Sequence, residues 1–418
     1  MATAEKVPLN LIEVILAQGS CLTELSRSVS CSEHVLVSQQ PPLPIKMARD
    51  MAQDTANSSS TSEDITRELL AFIARPSVSD EEFNELALRI FARQFMLNLP
   101  FQRFCQLRGK TPRLVKSWRD IPAVPIDAFK EFTLSCLPAE DCERVFMTSG
   151  TTRGEVKGRH HHPNLAVYDA SMLRHFSEHF MQGDARLPMG ILFPTETLMQ
   201  NSSLAHYLGL AMQDFGSADS AYYLDQNGLR TDALCEALRK AEQSGQAFAL
   251  LGASYSFVHL MDELQVRGLS FALPKGSRIL DTGGFKGQSR DIPMDAFYAQ
   301  LSATFGVDRR QCINMYGMTE LSTQFYDAGN RSVPSVKRGP HWLRSRLLDP
   351  LTGQEVAHGE RGILAHTDLA NVNSVVTILT EDVGVATDDG FVLLGRAQGA
   401  QAKGCSLAVE DFLKAARG

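Results

Sequence analysis

Four short apolar segments, each followed by a loop of small residues, constrain the fold of this chain more than any other feature. They are "PMGILFP", "AFALLGAS", "GSRILDTGGFKG" and "CINMYGMTE". Apolar segments of this length that alternate with helical patterns are typical of buried strands in a largely parallel α/β sheet. The third segment predicts a strand ending at Asp281, with a glycine turn after it. Ligands bind such sheets beyond the carboxyl ends of the strands, so these loops are candidate binding sites.

The segments on either side predict helices and a β-rich region. "SEDITRELLAFIA" predicts a helix capped by Ser62, and "SDEEFNELALRIFARQFML" predicts a second helix with acidic residues in its first turn. "IPAVPIDAFKEF" indicates a proline-containing connection into a short helix. From about Arg361 the pattern is β-rich, and the "DDG" of residues 388–390 predicts a hairpin turn.

Composition narrows the class of protein. The length of 418 residues favours two or three structural units. The net charge of −7 gives no reason to expect nucleic-acid binding. No apolar run is long enough to span a bilayer, and the eight cysteines include no CxxC pair. These features predict a cytoplasmic protein without membrane insertion. Residues 1–60 are rich in polar and helix-breaking residues, which predicts a disordered extension.

The segment "MTSGTTRGEVKGRHH", residues 147–161, predicts a loop that can bind an anion. Its small side chains let backbone N–H groups approach a phosphate, and its hydroxyls add donors. Lys157, Arg159 and His160 supply positive charge. The spacing is not that of a Walker A loop, so an ordinary flexible surface loop is the alternative. The histidine run 160–162 is a weak metal candidate, because adjacent residues rarely point at one ion.

Several motifs resemble those of the adenylate-forming enzymes, the superfamily of acyl-CoA synthetases, luciferases and peptide-synthetase adenylation domains. "NMYGMTE", residues 314–320, resembles the second signature of the superfamily, and the loop at Met147 resembles the first. "DTGGFKG" resembles the glycine turn on the adenine side, "TEDVG" resembles the segment whose aspartate holds the ribose, and "GRA" resembles the start of the hinge. Two signatures in the right order indicate the superfamily more strongly than either one alone.

A narrower likeness is to the LuxE-type acyl-protein synthetases of bacterial bioluminescence. It is carried by "WRDIPAVPIDAFKEF", "TSGTT", "DTGGFKG", "LTEDVG" and "GRAQGAQAKGCSL", and it extends from about Ser62 to the C-terminus. The resemblance implies the large α/β N-terminal domain of the superfamily over residues 61–395, with layered parallel-rich sheets, helices and a β-rich subdomain from about residue 335. It implies a hinge-like tail over residues 396–418. The usual small C-terminal domain, with its catalytic lysine, is expected to be absent.

The resemblance also implies an ATP and Mg²⁺ site. Residues 149–152 would cradle the departing phosphates, with Lys157 as a point charge, Thr319 on the α-phosphate and Glu320 holding Mg²⁺. Tyr316 would pack against adenine and Asp382 would accept hydrogen bonds from the ribose. Each residue also has a structural alternative: core packing for Tyr316, a helix-start charge for Glu320 and a turn for Asp382. The implied nucleotide-binding residues are Thr148, Ser149, Gly150, Thr151, Thr152, Gly283, Gly284, Tyr316, Gly317, Asp382 and Arg396.

Cys405 is the candidate acyl acceptor. In the LuxE-type family the matching cysteine carries the acyl group as a thioester, and Lys403 is placed to lower the pKa of this thiol. "AKGCSLAVEDFLKAARG" predicts a glycine-flanked turn at Cys405 ahead of a short amphipathic helix. Because a lone cysteine near a chain end is usually a bystander, an inert Cys405 is the alternative.

The segments "NSSLAHYLGLAM" and "GASYSFVHL" are the candidate lining of the acyl pocket, with His206, Tyr207 and Ser254 as substrate-contacting residues. The function implied is an ATP-dependent ligase that activates a carboxylic acid as acyl-AMP and transfers the acyl group to a protein thiol. Fatty, aryl and hydroxy acids are all candidates. The expected partner is an acyl-acceptor protein, either a reductase or an acyl carrier protein. The alternatives are direct loading of an acyl carrier protein or coenzyme A, and a nucleotide-binding pseudoenzyme subunit.

Overall fold

The computed structural model describes residues 63–149, 156–285 and 288–417. The predicted extension of residues 1–60 and the predicted cap at Ser62 lie outside the described residues, as do Gly150, Thr151 and Thr152. The described chain forms two large sheets, the helices that cover them and a layer of helices near its N-terminal end. The domain boundaries at residues 60 and 395 stay predictions.

Three helices open the described chain, over residues 63–74, Asp80–Leu97 and Leu99–Leu107. The second helix begins with a capping box. The Glu82 N–H donates to the Ser79 hydroxyl oxygen at 3.2 Å, and the Ser79 N–H donates to the Glu82 carboxylate at 2.8 Å. The predictions of the first two helices are confirmed, and the buried apolar face of the second includes Phe83, Leu86, Ile90 and Phe91.

The strands of the described residues are short in the first half of the chain and longer in the second. In chain order they are β1 Val124–Pro125, β2 Arg144–Met147, β3 Arg159–His162, β4 Met189–Leu192, β5 Ala221–Tyr222, β6 Leu224–Asp225, β7 Gly228–Leu229, β8 Ala249–Ala253, β9 Arg278–Thr282, β10 Cys312–Tyr316, β11 Phe325–Tyr326, β12 Val336–Lys337, β13 Leu343–Leu348, β14 Arg361–Asp368, β15 Thr377–Thr387 and β16 Gly390–Arg396.

The central sheet has the strand order β11-β10-β9-β8-β4-β5. Its strands run parallel except for β11, which is antiparallel to β10. Every residue of β4, β8 and β9 is buried, as expected for a parallel sheet covered on both faces. The predicted α/β class is therefore confirmed. Strand β9 ends at Thr282, one residue beyond the predicted end at Asp281.

Helices cover both faces of the central sheet. Successive residues of β8 point to opposite faces, so Leu250 packs in one apolar cluster and Leu251 in the other. One cluster is formed with helices Thr231–Ser244, Ser254–Val266 and Met294–Phe305. The other is formed with helices Ala166–Phe176 and Ser203–Phe215.

The second large sheet has the order β12-β16-β15-β14-β13, and β1 adds to β15 in parallel. The predicted hairpin is confirmed, because Asp388 and Asp389 join β15 to β16. Glycine is required at position 390, where a side-chain carbon would lie 2.1 Å from the Lys337 carbonyl oxygen. This sheet shares a core with the N-terminal helices, and the fully buried Trp342 is part of that core.

The remaining elements are short. The predicted helix in "IDAFKEF" is present as Ala128–Glu131. A π-helical turn, Ser177–Met181, extends helix Ala166–Phe176. Strands β2 and β3 form a hairpin, as do β6 and β7. No helix among the described residues combines the length and the apolar content needed to cross a bilayer. Single 3₁₀ turns occur at Trp118–Asp120, Ala139–Asp141 and Arg309–Gln311.

The C-terminal helix, Ala400–Arg417, differs from the prediction for this segment. Cys405 was expected on a turn before a short helix, but it lies inside a helix of 18 residues. The Phe412 ring packs against Phe104, with a centroid distance of 4.8 Å, and the Arg103 guanidinium donates to the Ala416 carbonyl at 2.8 Å. Packing of this kind outweighs the low helix propensity of Gly404.

Candidate functional site

The loop after β10 is held by buried polar contacts. The Asn371 side-chain amide donates to the Glu320 carbonyl oxygen at 2.9 Å, and the Ser322 N–H donates to the Asp368 carboxylate at 3.0 Å. Burial raises the pKa of Asp368 to about 6, although the hydrogen bonds it accepts oppose this shift. These contacts fix the backbone of the "NMYGMTE" segment at the carboxyl end of the central sheet.

The β2–β3 hairpin brings the ends of the candidate phosphate loop against Glu320. The Gly158 N–H donates to the Thr148 hydroxyl at 2.9 Å, and the Thr148 N–H donates to the Gly158 carbonyl at 3.0 Å. A side-chain carbon at Gly158 would lie 3.2 Å from Glu320 Oε1, so this close approach favours glycine. Ser149 is exposed and Lys157 is half-buried. The phosphate-binding roles of these two residues stay predictions.

Glu320 is a buried carboxylate with an unusual pKa. Glu320 is only 6% exposed, and burial raises the pKa of its carboxyl group from 4.5 to about 7. The positive charges of Arg396 and Lys130 oppose this shift, whereas the Asp127 carboxylate adds to it. Lys130 and Asp127 form an ion pair of 2.9 Å one helical turn apart. A cation bound at Glu320 would stabilise its ionised form.

A second polar group lies beside the same loop. The Tyr316 hydroxyl donates to Asp382 Oδ2 at 2.8 Å, and Arg396 Nε lies 3.3 Å from Asp382 Oδ1. Burial raises the pKa of Asp382, while Arg396 and the Tyr316 hydroxyl oppose the shift. Tyr316 is 9% exposed and its ring packs against Phe391. The structure therefore brings Tyr316, Asp382 and Arg396 together, with the Tyr316 ring largely in the core.

Gly283 and Gly284 follow β9 on the neighbouring loop. Gly283 has a φ of +80°, a conformation that strongly favours glycine. Both residues are exposed, and apart from chain neighbours no atom of the described residues lies within 4 Å of the position that a side-chain carbon would take at either one. Gly317 is exposed at the end of β10. These loops leave room for a ligand to approach the backbone, and the assignment of the three glycines to adenine binding stays a prediction.

His160 does not supply the positive charge predicted for it. His160, His161 and His162 lie in β3 and are buried. Burial lowers the pKa of His160 to about 4, although its ring Nδ1–H donates to the Thr319 carbonyl at 3.0 Å. His160 is therefore neutral near pH 7, and its role is to tie the hairpin to the loop that carries Glu320. The side chain of Thr319 stays only a predicted phosphate ligand.

His206 lies in a network of charged groups. Its Nδ1 is 3.0 Å from Glu196 Oε1 and its Nε2 is 2.9 Å from Asp169 Oδ1, while Arg144 contacts the same Glu196 oxygen at 2.6 Å. Burial favours the neutral ring, but the hydrogen bonds and charges of Asp169 and Glu196 outweigh it and raise the pKa of His206. This arrangement fits a protonated imidazole that donates from both nitrogens.

We expect this network to make stability depend on pH. The pKa of His206 is raised above 6.5 by folding, so its contribution is complete below pH 6.5 and is lost as the pH rises through the folded-state value. His206→Asn should lower Tm by about 6 °C at pH 6, because two charge-assisted hydrogen bonds contribute about 3 kcal/mol or more together, and by less at pH 9. Calorimetry at both pH values, with the exposed His358→Asn as control, checks this. Equal losses at both pH values would contradict it.

The other two predicted substrate residues lie deeper. Tyr207 is 1% exposed, and its hydroxyl is 2.7 Å from the Tyr326 hydroxyl. Ser254 donates to the Asp281 carboxylate at 2.7 Å and is also 1% exposed. Contact of either residue with an acyl group stays a prediction.

The sequence analysis did not predict Asp127 or Lys130 as site residues. The signal that could have identified them is an acid and a base three residues apart in "WRDIPAVPIDAFKEF", a segment that resembles the LuxE-type family.

Cys405 is buried close to the carboxylates of Glu381 and Asp127. It is 5% exposed and packs in an apolar cluster with Leu379 and Val383 of β15. Burial, with the carboxylates of Glu381 and Asp127, raises its pKa to about 11. The predicted lowering of this pKa by Lys403 is therefore wrong: Lys403 is exposed, and the surroundings of the thiol are apolar and acidic. Asp127 acts on both Cys405 and Glu320, so the thiol adjoins the candidate nucleotide site.

Two known proteins are similar in sequence to most of this chain. The long-chain-fatty-acid–luciferin-component ligase of Vibrio harveyi is 23% identical over 330 residues, covering 76% of this chain and 84% of that protein. The ligase of the same name from Aliivibrio fischeri is 23% identical over 364 residues, covering 82% of this chain and 93% of that protein. Both alignments span most of the described residues.

Solved structures show the same fold. A 2-hydroxyisobutyryl-CoA ligase in complex with 2-HIB-AMP, in its postadenylation state, superposes with a TM-score of 0.55 at 15% identity, covering 77% of this chain and 69% of that one. An open conformation of that ligase with 2-HIB-AMP and CoA gives 0.55 at 15% identity, covering 77% and 71%. The predicted adenylate-forming fold is confirmed.

A family model described as the acyl-protein synthetase LuxE matches residues 51–414, most of the chain. Together with the two ligases, this match confirms the family that the motifs indicated in the sequence. The chain belongs to the LuxE family of acyl-protein synthetases and is therefore an acid–thiol ligase.

Proposed function

We propose that this chain uses ATP and Mg²⁺ to activate a carboxylic acid as acyl-AMP, and then transfers the acyl group to a protein thiol. The observation that carries the proposal is the convergence of three distant segments. Thr148 of the hairpin, Glu320 after β10 and Asp382 of β15 lie around one loop at the carboxyl end of the central sheet. Binding ATP requires one set of residues at its phosphates and another at its ribose, and these segments offer both.

The residues fit the chemistry of adenylation. The acid's carboxylate oxygen forms a bond to the α-phosphorus, and the bond from that phosphorus to pyrophosphate breaks. Negative charge on the phosphates must be stabilised by preorganised groups. Glu320 would hold Mg²⁺, because a buried carboxylate whose pKa is raised to about 7 gains from a nearby cation. The Asp382 carboxylate would accept hydrogen bonds from the ribose hydroxyls, with Arg396 holding it ionised.

The relatives suggest which acids to test first. Two of them are named long-chain-fatty-acid ligases, so fatty acids lead the proposed substrate class. The proposed route passes through Cys405, and the recipient beyond it is a reductase or an acyl carrier protein. One observation favours a second candidate function, the direct loading of an acceptor by acyl-AMP. It is the burial of Cys405, whose pKa of about 11 makes the thiol a poor nucleophile in this conformation.

Carboxylate-dependent exchange between ATP and labelled pyrophosphate tests the adenylation step. We expect exchange with at least one member of a panel of fatty, aryl and hydroxy acids. Asp382→Asn should raise the KM for ATP about tenfold or more, because a charge-assisted hydrogen bond contributes about 1.5–3 kcal/mol. Tm should change little, since the Tyr316 hydroxyl keeps an acceptor.

Asp388→Asn is the matched control, because Asp388 is fully exposed in the β15–β16 turn. It should leave the KM for ATP unchanged. Failure of every acid to support exchange would reject the proposal. Equal KM values in Asp382→Asn and Asp388→Asn would remove Asp382 from the nucleotide site.

A further inference from the structure

Three potential metal ligands meet where helix Ala166–Phe176 passes into its π-helical turn. They are His175, Glu178 and His179, and their ligand atoms all lie within 4.8 Å of one another. The widened turn matters because π-helical turns inside helices are frequent at functional sites. None of the three residues belongs to the nucleotide site described above.

His175 carries the strongest signal. It is fully buried, and its ring packs 4.8 Å from the Tyr326 ring and 6.2 Å from the Trp342 ring. Among the described residues, neither ring nitrogen makes a hydrogen bond of ordinary geometry, although the Arg338 backbone lies close to the ring. A buried polar group without a hydrogen-bond partner destabilises the fold, and a bound cation would remove this penalty.

His179 is oriented as a metal ligand usually is. Its Nδ1 lies 3.2 Å from the His175 carbonyl oxygen, so this nitrogen carries the hydrogen and donates it. The lone pair is then on Nε2. Histidine ligands commonly donate their other ring N–H to a backbone carbonyl, which fixes the ring and the tautomer.

Glu178 would complete the set at little cost. Its carboxylate now pairs with Arg174 at 2.7 Å, and both side chains are more than one-third exposed. An exposed ion pair four residues apart on a helix contributes little to stability, so a divalent cation can displace it. Arg174 is thus a competitor for the carboxylate, which gives the test a variant with an effect of opposite sign.

We propose that His175, Glu178 and His179 bind a Zn²⁺ ion, with water as the fourth ligand. Two imidazoles and a carboxylate form a donor set that suits this metal better than Mg²⁺ or Ca²⁺, which prefer oxygen. Ligand atoms of a tetrahedral zinc site lie about 3.4 Å apart. In this structure the ligand atoms lie within 4.8 Å of one another, and Glu178 and His179 are not fully buried.

The proposed metal site adjoins the candidate acyl pocket through one side chain. The Tyr326 ring stacks on His179 at 5.8 Å, and the Tyr326 hydroxyl is 2.7 Å from that of Tyr207. Zinc would fix the end of helix Ala166–Phe176 against β11. This zinc is separate from the Mg²⁺ proposed at Glu320.

Titration of the full-length, chelator-treated protein with Zn²⁺, followed by calorimetry, tests the proposal. Co²⁺ serves as a spectroscopic probe, because tetrahedral cobalt absorbs visible light. We expect one equivalent to bind and Tm to rise, since a ligand that binds only the folded state stabilises it. His179→Asn and Glu178→Gln should each weaken binding at least tenfold, whereas Arg174→Gln should strengthen it. His175 is left intact because it lies in the core.

The control is His358→Asn. His358 is exposed beside Asp388, at 3.7 Å, and represents an adventitious surface site. Circular dichroism of each variant checks that it is folded. The proposal is overturned if wild type binds no zinc. It is also overturned if His179→Asn and Glu178→Gln bind as tightly as wild type, or if His358→Asn alone removes the bound equivalent.

Discussion

Glu320→Gln is expected to reduce acid-dependent ATP turnover by a factor of about 100–1,000, a loss of about 3–4 kcal/mol of transition-state stabilisation. The amide keeps the size of the side chain but removes the charge that would hold Mg²⁺. Neighbouring groups cannot replace it, because Asp127 is already paired with Lys130 at 2.9 Å and Asp382 is committed to Tyr316 and Arg396. The loss should appear mainly in kcat and in the Mg²⁺ requirement.

The same substitution should not weaken the fold. Burial raises the pKa of Glu320 to about 7, so at neutral pH and above the protein holds an ionised carboxylate at a cost. A neutral amide avoids this cost, and Tm at pH 8 should stay equal or rise. Glu236→Gln, at an exposed position in helix Thr231–Ser244, is the control that should change neither quantity. A parallel fall in turnover and Tm would instead indicate a structural role.

Cys405→Ala is expected to abolish the covalent acyl-enzyme while leaving ATP–pyrophosphate exchange within about twofold of wild type. In the proposed transfer, the thiolate sulfur forms a bond to the acyl carbon and AMP leaves with its bonding electrons. Intact-mass analysis after incubation with ATP and acid should therefore show a hydroxylamine-labile adduct in wild type and none in the variant. Cys142→Ala is the control, because Cys142 is another free thiol and is only partly buried.

The resting environment of Cys405 adds a second expectation. With a pKa of about 11, about one thiol in a thousand is ionised at pH 8, so iodoacetamide should label Cys405 slowly in the free enzyme. Labelling should become faster with ATP and acid if the C-terminal helix moves away from β15. An adduct that persists in Cys405→Ala would assign the acceptor to another group and favour direct loading.

The central sheet was predictable because its signal is local. Buried parallel strands are continuous apolar runs, so β4, β8, β9 and β10 stand out from the loops around them. The acidic first turn of helix Asp80–Leu97 and the turn at Asp388 are also short patterns with a direct physical cause. The order of the motifs indicated the family, which no single motif establishes.

The parts that sequence reasoning missed depend on distant contacts. The sequence predicts positive charge at His160. The ring is neutral because it is buried against Thr319 and Phe129, which are distant in the chain. Gly404 indicates a turn, yet the helix continues because Phe412 packs on Phe104. The pKa of Cys405 depends on Asp127 and Glu381, and no local pattern around the thiol reveals them.

The short connection before the C-terminal helix limits how far Cys405 can travel. Strand β16 ends at Arg396 and the helix begins at Ala400, with Gly399 at a φ of +57° between them. Cys405 is the sixth residue of the helix, about 8 Å along its axis from the first. If the helix pivots at Gly399 as a rigid rod, the sulfur stays on an arc with a radius of about 10 Å. The connection is too short to carry the acyl group further, so an acceptor protein must bind at this edge of the second sheet.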